Sequence, residues 1–158
     1  MRLFIAIPID SEVKKYLGEL PVLGRHVADY HITLKFLGDL SEINPLIQSL
    51  DNVKAKSFRL TLSKIGFFPS KSKQRIVWAG VTPIEPVIEL HKKIEKALNL
   101  VKEKQFHPHI TLSRLRNQSM QSINLKKKEI NVRSFNLIKS TLTQNGPVYQ
   151  VIKDYLLS

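Results

Sequence analysis

Cysteine is absent from the 158 residues of this chain. That excludes disulfides, thiolate nucleophiles and cysteine-ligated zinc or iron–sulfur centres, and it suits a reducing, cytoplasmic setting. Glycine and proline are sparse, at 6 and 8 residues, too few for a fibrous or low-complexity chain. No apolar run is long enough to span a bilayer. The opening stretch Met1 to Ile9 is broken at once by Asp10, Glu12, Lys14 and Lys15, so it reads as a first strand and not as a signal or an anchor. Acidic residues are the remaining shortage: 13 Asp and Glu face 25 Lys and Arg, for a net charge of +12. Such an excess draws in polyanions, which makes nucleic acid or a phosphorylated small molecule the expected partner class. A membrane surface fits less well, because no long basic amphipathic helix is present.

What is present is a repeat. His-Ile-Thr-Leu occurs at His31 to Leu34 and again at His109 to Leu112, 78 positions apart in a chain of 158. Lys35-Phe36-Leu37 follow the first copy, and Arg114-Leu115 close behind the second. On a strand, side chains alternate between faces, so His and Thr share one face while Ile and Leu share the other. Two lobes related by an approximate two-fold axis then bring two imidazoles and two hydroxyls into one cleft.

Periodicity supplies the surrounding elements. Leu3 to Ile7 reads as a buried strand, and Asp10 or Ser11 as the cap of a helix through Leu20. Tyr30 to Leu37 reads as a strand closed by Gly38, and Ser41-Glu42 as the opening of a helix to about Val53. Phe58 to Ile65 alternates as a strand, Gly66 to Gln74 reads as a basic and aromatic loop, and Ile76 to Val81 as another strand. The pattern over Glu85 to Leu100 is that of an amphipathic helix. Ile130 to Leu142 and Val148 to Leu156 form a final hairpin around Asn145-Gly146. Lys126 to Lys128 reads as a solvated loop. The expected fold is α+β over residues 1–158 as a single bilobal domain, with two pseudo-symmetric, antiparallel-rich sheets forming a central cleft and helices on the outer faces. A completed pair of lobes needs no second chain, so a monomer is expected.

The chemistry of the repeat follows from its residue types. Histidine titrates near neutrality, so one imidazole can accept a proton while its charged partner donates one. Threonine hydroxyls can hold phosphoryl oxygens as charge shifts. Phosphate ester cleavage therefore fits better than acyl transfer, for which no nucleophile-elbow motif is present. The layout calls for no metal or cofactor. His107 shares a face with His109 but has no carboxylate nearby, so it reads as a rim residue. His26 and His91 read as surface residues, the latter on the exposed side of its helix.

The segments His31 to Gly38 and His107 to Arg114 resemble the paired signatures of the two-histidine (2H) phosphoesterases, and most closely those of the RNA 2',3'-cyclic phosphodiesterases, also called 2'-5' RNA ligases. The likeness extends to Arg2 to Ile7, Gly66 to Pro69 and Arg75 to Val81. It implies metal-independent hydrolysis of a terminal 2',3'-cyclic phosphate on RNA, tRNA fragments included, to a 2'-phosphate, with weak 2'-5' ligation as the reverse reaction. By that resemblance His31 and His109 are the acid–base pair, Thr33 and Thr111 bind the phosphate with Arg114, and Phe36 stacks on a base. His109 is taken as base for water and His31 as acid for the departing 3' oxygen. The loop residues Lys71, Lys73 and Arg75 are expected to bind RNA. Strict alternation conflicts with part of this, because Phe36 and Arg114 each lie five residues past a histidine and so fall on the opposite face. They reach the cleft only if the strands bend or end after Leu34 and Leu112. Two other readings compete: a non-catalytic RNA-binding module, and a phosphodiesterase acting on a small cyclic phosphate.

Overall fold

A computed structural model describes residues 1–158. The opening apolar run forms β1 (Arg2–Pro8) and leads into α1 (Ser11–Gly18). After the short β2 (Arg25–His26) come β3 (His31–Asp39), which carries the first tetrapeptide, and α2 (Asn44–Leu50). The long hairpin β4 (Phe58–Pro69) and β5 (Gln74–Thr82) precedes α3 (Glu85–Ala97) and β6 (His109–Arg114), which carries the second tetrapeptide. The chain closes with β7 (Glu129–Val132), β8 (Ser134–Thr143) and β9 (Gly146–Leu156).

All strand pairings are antiparallel, and the strands lie in the order β7-β4-β5-β6-β3-β1-β8-β9 with β2 beside β6. The two tetrapeptide strands are therefore neighbours at the centre, with four strands to each side of their seam. The seam is narrow: Ile32 opposite Ile110 is its single pairing. On either side the same unit recurs. A strand (β1 or β5) leads into a helix (α1 or α3), and the chain returns as a tetrapeptide strand paired antiparallel to the first. The two sheets expected from the sequence are thus two halves of one hydrogen-bonded sheet.

One face of that sheet carries the main core, in which Ile32, Leu34, Ile110 and Leu112 are fully or almost fully buried with Val13 and Leu17 of α1 and Val87, Leu90 and Ile94 of α3. The opposite face carries only a small cluster, Phe4, Ala6 and Ile138 with Tyr149 packed against it. The helices thus cover one face and leave the other for a cleft.

Several elements differ from their sequence reading. The supposed loop from Gly66 is strand up to Pro69. The alternation in β4 shifts between Leu62 and Ile65 at a register irregularity, which hides the strand's continuation from a period-2 reading. Gly66 is needed for close approach, since a Cβ there would lie 2.1 Å from the Trp78 ring. The apolar run from Ile130 is two strands in opposite halves of the sheet, β7 beside β4 and β8 beside β1, divided at Arg133. α2 is shorter than expected and begins at Asn44 with Pro45 in its first turn, where proline's missing N–H is harmless. α3 stops before Leu100 because Asn99 turns left-handed at φ 54°, and Leu100 N–H bonds back to the Glu95 carbonyl. Asp10 precedes α1 but spends its carboxylate on Asn131 of β7 and does not cap the helix.

Candidate active site

Extending the Ile32–Ile110 pairing by one residue each way sets His31 beside Thr111 and Thr33 beside His109. The four side chains leave the sheet on the face away from the core, in a two-by-two array about the local two-fold axis. The histidines are the diagonal pair, and diagonal positions in such a ladder stand about 7–8 Å apart. All four residues line one cleft of about 380 Å³, together with Arg2, Phe4, Asp29, Phe36, Arg114 and Tyr149 among others. That volume is in the range of small-molecule sites, about 300–1,000 Å³.

A β-bulge in each half resolves the conflict over Phe36 and Arg114. In β3 the register steps from Thr33 opposite Ala6 to Lys35 opposite Ile5, leaving Leu34 as an extra residue. In β6 it steps from Thr111 opposite Trp78 to Ser113 opposite Val77, leaving Leu112 extra. Each bulge lets two successive residues face the core, Leu34 with Lys35 and Leu112 with Ser113, and the next side chain returns to the cleft. Phe36 then stands against Phe4, with ring centroids 6.1 Å apart, and is 75% exposed. Arg114 enters the cleft wall, while Ser113 is buried and donates its hydroxyl to the Leu23 carbonyl.

The residues behind the first bulge form a polar network. His91 Nδ1 donates to the Leu34 carbonyl at 2.7 Å, and its ring stacks on Phe106 at 4.0 Å. Its Nε2 stands 3.3 Å from Glu95 Oε1 without a well-aligned hydrogen bond. Lys35 Nζ joins Glu95 at 3.0 Å and Glu103 at 2.9 Å. His91 is 2% exposed, so the expectation of a surface histidine is corrected. It continues the buried stripe of Val87, Leu90 and Ile94, four residues after Val87 and three before Ile94. His91, Glu95 and Glu103 have metal-ligand spacing, with ligand atoms within 4.8 Å of one another, but the Lys35 ammonium already bridges the two carboxylates. The network instead braces the bulge that turns Phe36 into the cleft.

The two cleft histidines live in different surroundings. His31 packs against Phe4 at 5.1 Å and Tyr149 at 5.7 Å, with neither ring nitrogen bonded to the protein. Burial pushes its pKa down to about 4, against the pull of Asp29 and with the help of Lys14 and His109. His109 packs against Phe68 at 5.0 Å and Trp78 at 6.1 Å. Its Nδ1 lies 2.6 Å from the His107 carbonyl, an acceptor that fixes the proton on Nδ1 and leaves the Nε2 lone pair free. Burial lowers this histidine too, opposed by that hydrogen bond. Asp29 in the cleft wall is ion-paired to Lys14 at 2.8 Å.

The remaining sequence candidates lie elsewhere. His26 is exposed, with Nε2 3.1 Å from the Val22 carbonyl, and His107 sits at the rim near Phe68. Lys73 and Arg75 line a separate shallow depression with Arg116, and Lys71 lies on the loop beside it. The register of β5 on β4 steps from Ile76 opposite Phe68 to Gln74 opposite Pro69, which leaves Arg75 as an extra, exposed residue outside the cleft lining. Sequence reading missed Phe4, Tyr149, Asp29 and Arg2, because each reaches the cleft through a strand or loop distant in the chain.

Over residues 17–140 the chain matches the 2'-5' RNA ligase superfamily. It belongs to that superfamily. An RNA 2',3'-cyclic phosphodiesterase of Methanocaldococcus jannaschii is 32% identical, aligned over 98% of this chain and all of the relative. Another from Aquifex aeolicus is 31% identical, over 94% of this chain and 89% of the relative. Members of the superfamily with solved structures share the fold. The apo form of LigT from E. coli superposes with a TM-score of 0.82 at 27% identity, covering 99% of this chain and 97% of LigT. LigT has also been crystallised with phosphate and with 3'-AMP. No helix of this superfamily member is long and apolar enough to cross a membrane.

Proposed function

We propose that this chain hydrolyses the terminal 2',3'-cyclic phosphate of RNA, including cut tRNA fragments, to a 2'-phosphate. The observation that carries the reading is the diagonal array of His31, Thr33, His109 and Thr111 about one antiparallel pairing. The relatives' names support the substrate, and the excess of positive charge suits capture of a polyanion.

In the proposed reaction a water molecule attacks phosphorus opposite the 3' oxygen. His109 Nε2 takes the water's proton, the bond from phosphorus to the 3' oxygen breaks, and His31 gives its proton to that oxygen. The products are a 2'-phosphomonoester and a free 3'-hydroxyl, and the two histidines exchange protons with solvent before the next turnover. Thr33 and Thr111 donate to the non-bridging oxygens, and Arg114 offsets their charge. A proton on His31 is disfavoured in the empty cleft but favoured once the phosphodiester anion enters, and the imidazolium so formed is a strong acid. Proton donor, proton acceptor and positive charge all come from side chains, so no metal is required. Weak 2'-5' ligation is the same path in the same direction with a 5'-hydroxyl in place of water: its oxygen attacks phosphorus as His109 takes its proton, the bond to the 3' oxygen breaks with the proton of His31, and a 2'-5' phosphodiester results.

The test is a short RNA ending in a 2',3'-cyclic phosphate, incubated with EDTA, followed by location of the terminal phosphate. The expected product is the 2'-phosphate, with turnover lost when either histidine is replaced. RNA binding without turnover would support a non-catalytic module instead.

A further inference from the structure

We propose that Arg2 forms a second anion position, taking the phosphodiester on the 5' side of the terminal nucleotide and setting a preference for an oligonucleotide over a mononucleotide cyclic phosphate. This rests on the reading that the cyclic phosphate lies between His31 and His109. The cleft does not end at the histidines. Its wall continues past Phe4 and Phe36 to Arg2, Gly38, Ser140 and Leu142. On β1, Arg2, Phe4 and Ala6 share the cleft face, and Ala6 is opposite Thr33. With a rise of about 3.3 Å per residue, the Arg2 backbone lies about 13 Å along the strand from the level of Thr33. One nucleotide and the reach of an arginine side chain together bridge such a gap.

The floor between these two points is aromatic. Phe36 is 75% exposed and leans on Phe4, a surface on which a base of any identity can stack. The order along the cleft is thus histidine pair, aromatic platform, guanidinium, which matches the order phosphate, base, phosphate at the end of an RNA strand. Arg2 has no ion-pair partner of its own. Asp39, opposite it on β3, is engaged by the Met1 ammonium at 2.6 Å. A guanidinium left unpaired at the end of a cleft is suited to bidentate capture of phosphate oxygens.

The rival route for the strand is the basic depression of Lys73, Arg75 and Arg116. The experiment compares kcat/KM for a dinucleotide and a mononucleotide, each ending in a 2',3'-cyclic phosphate, in the native chain and in the Arg2→Gln, Arg2→Lys and Arg75→Gln variants, with circular dichroism to confirm folding. The native chain is expected to favour the dinucleotide. Arg2→Gln should cut that preference about tenfold and reduce the salt slope for the dinucleotide by about one. Arg2→Lys should keep the salt slope, and Arg75→Gln should leave the preference unchanged. Equal losses on both substrates in Arg2→Gln, or a preference that follows Arg75, overturns the proposal. If the native chain turns over neither substrate, the underlying reading of the histidine pair fails instead.

Discussion

The two halves of the sheet repeat a backbone but not an environment. Each supplies a His and a Thr two residues apart, a bulge after the Thr and a side chain brought back to the cleft five residues past the His. Yet His31 is held by aromatic packing alone and burial takes it down to about 4, whereas His109 is aimed by the His107 carbonyl, which works against its burial. The tetrapeptide itself sets the positions of the two imidazoles and two hydroxyls. Their proton affinities come from neighbours that were not duplicated, namely Phe4, Asp29 and Tyr149 on one side and His107, Phe68 and Trp78 on the other. In the proposed reaction two identical motifs divide the acid and base roles in this way.

The sharpest way to break the comparison is to remove each histidine in turn. His31→Ala and His109→Ala should each lower kcat by about 10²- to 10⁴-fold, and the double variant should lose little beyond the worse single one, because the two act as a unit. A half that tolerates the loss would refute a shared centre.

The pH dependence comes next. Both imidazoles lie below their ordinary 6.5 in the free chain, so the bell of kcat/KM should have its alkaline limb below pH 6.5. The limb of kcat should sit at higher pH, since bound phosphate favours the protonated forms. The same shift bears on folding. His31 takes up a proton near 6.5 when unfolded and only near 4 when folded, so protons favour the unfolded chain as pH falls through that window. Stability should decline between about pH 6.5 and 4, by about 3 kcal/mol from this group, and be indifferent to His31 above it. Thermal unfolding of His31→Ala should lack that component.

A smaller effect is expected behind the first bulge, where the second half has no matching brace of this kind. His91→Leu leaves the Leu34 carbonyl without its donor and should cost about 1–3 kcal/mol in stability, with KM rising more than kcat falls as Phe36 loses its support. The smallest effect belongs to the loop. Neutralising Lys71, Lys73 and Arg75 together should change kcat/KM on a short RNA by no more than about twofold at physiological salt, where exposed charges are screened beyond about 8 Å.

Much of the centre could be read from the chain because a strand's period is short and local. Ile32, Leu34, Ile110 and Leu112 identified the core face, which placed the histidines and threonines opposite it. The repeat implied that the two motifs share one cleft, but not that their strands pair edge to edge within one sheet. Phe36 and Arg114 could not be placed that way, since a bulge is set by the register of the partner strand and leaves no mark in the bulged strand's composition. β4 hid its continuation for the same reason. His91 was a different case. The apolar stripe of α3 runs through it, and its polar side chain masked a buried position that helical spacing alone would have assigned. Lys73 and Arg75 lie in a depression apart from the cleft, a placement that charge and aromatic content do not encode.

Leu34 and Leu112 also tie the cleft to what lies behind the sheet. Each bulge sends two successive residues to the core face, so a chain shortened by one residue at either point would regain a regular strand and still aim Phe36 or Arg114 at the cleft, but it would have to seat Lys35 or Ser113 alone in the place of a leucine. A deletion there is therefore expected to weaken the core through a displaced polar side chain, and to leave the groups that line the cleft unchanged.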